Sequence, residues 1–237
     1  MAAALGVDSI EIDARRDLRP TEVTGTALRQ IRKLLADLNL RVVAVRFATR
    51  RGYDEPIDLE RRVKATKEAM QMAANLGARV LVNQIGMIPE SKADAALDIL
   101  RSVLTDLGRF SQHHGAFMGC ETGSEPYDRL RQFIETLPEG TAGITFNPGN
   151  LIVNGFDIDD LSKSAKHILL VHAKDGVRDR ARGRGSEVPL GRGLAEFPLI
   201  AAALDERHFS GSFVIDHEPT PNLESELRSS IEFLRNL

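Results

Sequence analysis

Short β-branched runs alternate along the chain with longer segments whose apolar residues recur at helical spacing. The runs predict strands over 8–13 (DSIEID), 41–48 (RVVAVRFA), 78–85 (ARVLVNQI), 116–122 (AFMGCET), 142–147 (AGITFN), 167–175 (HILLVHAKD) and 211–218 (GSFVIDHE). Val23, Leu28, Ile31, Leu35 and Leu38 mark an amphipathic helix opening at Pro20-Thr21-Glu22. Leu59, Val63, Met70 and Ala73 mark a second that ends at Gly77. A third carries Leu97, Leu100, Val103, Leu104 and Leu107. Such strict alternation predicts parallel strands joined by right-handed crossovers.

Neither a G-x-G-x-x-G after the first strand nor a P-loop is present, which removes the usual nucleotide-sheet signatures. Polar residues gather instead at the C-terminal ends of many different strands, as the catalytic face of a barrel requires. The expected fold class is therefore α/β, a TIM (β/α) barrel forming a single domain over 1–237. About seven strands are legible where a closed barrel has eight. The opening MAAALG reads as the tail of a helix entering the first of them, so a first barrel strand is expected to be lacking.

Successive strand side chains alternate faces. With Ile144 and Phe146 packing under helices, Asn147 points into the barrel mouth. The same parity turns Glu121, His172 and Asp216 inward, with Glu218 at the rim. Carboxylate, amide, imidazole and carboxylate form an oxygen and nitrogen set suited to a divalent cation. His113, His114, His167 and His208 fall at or before strand starts and read as structural. His217 has outward parity and reads as packing against a helix. Cys120, also outward, reads as a buried, inert thiol.

Composition narrows the setting. With 237 residues and a formal net charge of -3, nothing suggests bulk attraction to nucleic acid or to an anionic membrane. A single cysteine suits a reducing, cytoplasmic compartment. No apolar run approaches the roughly 20 residues of a membrane span, and the N-terminus lacks the pattern of a signal peptide. Arginine is the remaining signal: Arg15, Arg16, Arg50 and Arg51 follow the first two strands, and Arg178, Arg180, Arg182 and Arg184 crowd 175–187. Most read as solvated loop charge; the sharper reading is a rim that attracts a phosphorylated or carboxylated small substrate.

GVDSIEID, FNPGNLIVNGFD, HILLVHAKD, VPLGRGLAEFPLIAAAL and GSFVIDHEP together resemble the xylose-isomerase-like TIM-barrel superfamily of sugar-phosphate isomerases and epimerases. The resemblance implies a Mn, Mg, Co or Zn ion held by Glu121, Asn147, His172 and Asp216. Glu121 and Asp216 would be the catalytic pair that shuttles a proton beside a substrate carbonyl through an enediolate. It also implies substrate contacts from Arg178 and Asn150, and Lys174 and Glu218 are expected to contact substrate beside them. Two ligands depart from the family's pattern: its FDP.N reads here as FNPGN, and its closing IE.E as IDHE. Three readings follow: a metal-dependent sugar isomerase or epimerase, a non-catalytic sugar-binding or regulatory barrel with a degenerate metal site, and an abasic-site endonuclease. The last needs more His and acidic ligands at the mouth than the sequence places there. The expected partner is a small carbohydrate, with a homo-oligomer open.

Overall fold

The computed structural model describes residues 1–91, 95–158, 161, 165–179, 183–218 and 220–237. Arg180 and Arg182 lie outside the described residues. The chain divides into two compact units, Met1–Glu121 with Phe133–Gly143, and Thr122–Gln132 with Ile144–Leu237.

The first unit contains β1 (Ser9–Asp13), α1 (Gly25–Asp37), β2 (Arg41–Arg46), α2 (Leu59–Leu76), β3 (Val80–Asn83), α3 (Ala95–His114) and β4 (Phe117–Glu121). β1 pairs with β2, β2 with β3 and β3 with β4, all parallel. Every residue of β3 is buried, the continuous burial of a parallel strand covered on both faces. α1 starts at Gly25 rather than at Pro20, because Thr24 caps it: its Oγ1 accepts from the Ala27 N–H at 3.2 Å. α2 ends where predicted, at Gly77, whose φ of 86° closes the helix in the left-handed region. Leu100, Leu104 and Leu107 of α3 are wholly buried. Gly108 brings that helix so close to Thr141 that a Cβ would lie 2.7 Å from the Thr141 Cα.

The division between units runs through α4 (Tyr127–Glu135) and β5 (Ala142–Phe146). The second unit continues with α5 (Pro148–Val153), β6 (Ile168–Ala173), β7 (Asp175–Val177), β8 (Ser186–Val188), α6 (Phe197–Asp205), β9 (Ser212–Ile215) and α7 (Leu223–Arg235). β6 pairs in parallel with β5 and with β9. Among the described residues, seven strands follow the order β1-β2-β3-β4-β5-β6-β9. The residues read as an arginine-rich loop also contain the antiparallel ribbon β7–β8. Its strands are too short and too charged to show alternation, and Gly185 permits it: a Cβ there would meet the Val177 carbonyl oxygen at 2.2 Å. No helix among the described residues is long and apolar enough to cross a membrane.

Candidate functional site

In the first unit, Glu121 ends β4 with 7% of its surface exposed. Arg46, at the end of β2, reaches Glu11 Oε1 through Nε at 3.2 Å and Glu121 Oε1 through Nη2 at 3.0 Å. A buried carboxylate is costly unless paired, and this guanidinium supplies the pairing. Tyr53 is pinned rather than reactive. Burial pushes its hydroxyl up to about 12 although Thr66 and Asn83 both bond to it.

In the second unit, Phe146 meets the Tyr127 ring of α4 edge-on at 5.3 Å, so Asn147 takes the opposite face. Asn147 caps α5, its Oδ1 accepting from the Asn150 N–H at 3.0 Å. Its backbone is clamped by Thr122, whose hydroxyl accepts from the Asn147 N–H at 2.8 Å and donates to its carbonyl at 3.1 Å. Its Nδ2 donates to Asp216 Oδ2 at 3.1 Å. Pairing of Phe146 with Val171 puts Asn147 level with His172. Pairing of His172 with Val214 puts Asp216 two residues further along the same face. His172 is fully buried and Asp216 half-buried.

A second polar group follows at the end of β6. Lys174 Nζ lies 2.9 Å from Glu187 Oε2, with 12% and 17% of the two side chains exposed. Glu187 Oε1 accepts from His217 Nδ1 at 2.8 Å and from the Glu218 N–H at 3.3 Å. His217 Nε2 reaches Ser230 Oγ of α7 at 3.2 Å, the helix contact that its parity predicted. Burial pushes the Glu187 carboxyl up, but its bonds from His217 and Lys174 outweigh this and hold it below the usual carboxylate range. The bond to Glu187 outweighs burial at His217 and raises the imidazole above its ordinary value. Asp175 is fully buried and accepts from the N–H groups of Gly176, Gly191, Gly193 and Ala195 at 2.8–3.0 Å.

The structure thus brings Asn147, His172 and Asp216 together and sets Lys174 beside Glu187. Asn150 stands in the first turn of α5. Arg178 turns to Asp157 and to the Phe156 carbonyl, the latter at 3.0 Å. Glu218 is exposed, with its backbone N–H on Glu187. Arg46, Asp175 and Glu187 escaped the sequence reading. Strand parity at Arg46 could have found the first, and the glycine-rich LGRGLAEF run hinted at a buried acceptor for the second. Glu187, within an arginine-rich stretch, carried no signal.

The family model for the xylose isomerase-like TIM barrel matches residues 1–237. A xylose isomerase domain protein from Planctomyces limnophilus is similar in structure, with 26% identity, a TM-score of 0.87 and coverage of 99% of this chain and 89% of that one. The IOLI protein with a bound zinc atom shares 18% identity at a TM-score of 0.79, covering 99% and 89%. A D-psicose 3-epimerase crystallised in the presence of D-fructose shares 12% identity at a TM-score of 0.74, covering 98% and 90%. A comparison with curated proteins gives no match. With α/β alternation, seven parallel strands and a match over its whole length, the chain belongs to the xylose isomerase-like TIM-barrel family.

Proposed function

We propose that this chain, as one domain over 1–237, is a divalent-metal-dependent isomerase or epimerase of a small sugar, sugar phosphate or sugar acid. The observation that carries the reading is the convergence of Asn147, His172 and Asp216 on one face, with the Asn147 amide holding the Asp216 carboxylate at 3.1 Å. Glu121, His172 and Asp216 each offer an oxygen or nitrogen ligand atom, a set that suits Mn²⁺, Mg²⁺, Co²⁺ or Zn²⁺. The donor chemistry fits such an ion. Asn147 fits it less directly, because its Oδ1 is used by the cap and keeps one lone pair beyond it. The ion, when bound, supplies positive charge against substrate oxygens. Glu121 and Asp216 remove and return the proton on the carbon beside the substrate carbonyl, through an enediolate. Arg46 steadies Glu121, and Asn150, Lys174, Arg178 and Glu218 contact substrate oxygens.

A second reading, a non-catalytic sugar-binding barrel, is favoured by two features. Asn147 lacks the charge of the family's aspartate, and the Arg46 guanidinium already compensates Glu121. Deuterium wash-in from heavy water tests both. Metal-loaded protein that exchanges the carbon-bound proton of a ketose, with exchange lost in Glu121→Gln and Asp216→Asn, supports the enzyme. A sugar-induced rise in Tm without exchange supports the binding barrel. Neither response, in protein that also takes up no metal, overturns both.

A further inference from the structure

We propose that the first unit carries a separate anion-binding cleft for a small phosphomonoester. Six arginines line a cavity of about 710 Å³: Arg15 and Arg19 after β1, Arg50 and Arg51 after β2, and Arg61 and Arg62 in the first turn of α2. Among the described residues, only Asp58 and Glu68 bring negative charge to its wall.

The arginines are held in ways that leave their charge available. Arg15 binds the Ala48 carbonyl through Nε and lies 4.4 Å above the Phe47 ring. Arg62 binds the carbonyls of Glu55 and Ile57. Neutral carbonyls fix a guanidinium without neutralising it. Arg50, Arg51 and Arg61 form no ion pair among the described residues. Only Arg19 has a carboxylate, Glu22 at 2.9 Å.

The placement is electrostatically unfavourable without an anion. Arg61 and Arg62 stand at the N-terminal end of an 18-residue helix, the positive end of its dipole, where Glu60 is the acidic side chain of the first turn and two cations follow it. The Asp58 side chain makes no capping bond there. A bound dianion adds attraction to the guanidinium groups and to the helix dipole that offsets this repulsion. Planar guanidinium forks match an oxyanion with several terminal oxygens, and a phosphomonoester is largely dianionic near neutral pH. The cavity is larger than phosphate alone requires. Ala14, Phe47 and Ile57 offer apolar wall for the organic part of the ligand. None of the residues proposed for metal or proton transfer lines the cleft, so this site stands or falls apart from that reading.

Calorimetric titration of the full chain as purified, with and without EDTA at low ionic strength, tests it. The probes are inorganic phosphate, ribose 5-phosphate, ribose, citrate and a short single-stranded DNA. The expected result is saturable binding of ribose 5-phosphate and weaker binding of phosphate, unaffected by EDTA, and none of ribose. The double variant Arg50→Ala/Arg61→Ala should weaken binding at least about tenfold with the ligand-free Tm equal to or above the parent's, while Arg228→Ala leaves binding intact. Absence of phosphoester binding, equal binding by the double variant, or preference for citrate or DNA overturns the proposal.

Discussion

Asn147→Asp restores the charge that the family's motif carries, and the structure sets what that costs without a metal. The new carboxylate would stand where the amide now donates to Asp216 Oδ2 at 3.1 Å, in a position with no solvent exposure. Two unit charges at that distance repel by about 5 kcal/mol at an effective dielectric constant of about 20. Loss of the donated hydrogen bond adds about 1 kcal/mol. The cap on α5 survives, since a carboxylate oxygen accepts from the Asn150 N–H as well as an amide oxygen does. Rotation of the half-buried Asp216 relieves part of the repulsion, leaving about 2–5 kcal/mol. For a chain of this size that lowers Tm by about 5–20 °C. Thermal melts in EDTA measure the loss, and melts with saturating Mn²⁺ should recover most of it in the variant while shifting the parent less. A metal-free variant within about 1 kcal/mol of the parent, or equal Mn²⁺ shifts in both, refutes the reasoning.

Three further outcomes follow from buried groups. Asp175→Ala strands four backbone donors at about 1–3 kcal/mol each where water does not reach them; urea denaturation should show a loss of about 3–6 kcal/mol, and a loss under about 1 kcal/mol would contradict the role. The raised His217 contributes stability that is full below its ordinary value of 6.5 and is lost as pH rises through its folded value; the lowered Glu187 contributes above 4.5 and loses it as pH falls through its folded value. The stability difference between parent and Glu187→Gln should therefore be larger at pH 6 than at pH 9, and a pH-independent difference counts against the pair. Leu104→Ala, at a fully buried position of α3, should cost about 2–5 kcal/mol by chemical denaturation with the site chemistry unchanged.

Element type was legible wherever a period survived long enough to be read. β-branched runs gave the seven strands, and the α3 stripe of Leu100, Leu104 and Leu107 gave its helix, because burial of one face is written directly into residue order. Parity likewise placed Asn147, His172 and Asp216 on one face, since side-chain direction along a strand follows from covalent geometry alone. Tertiary structure decided which groups touch. That the Asn147 oxygen turns to a helix cap while its amide turns to Asp216 depends on α5 beginning there. Arg46 meets Glu121 across 75 positions of sequence, and Glu187 gathers Lys174 and His217 from different elements. Such contacts are fixed by packing between distant segments, and no local pattern records them.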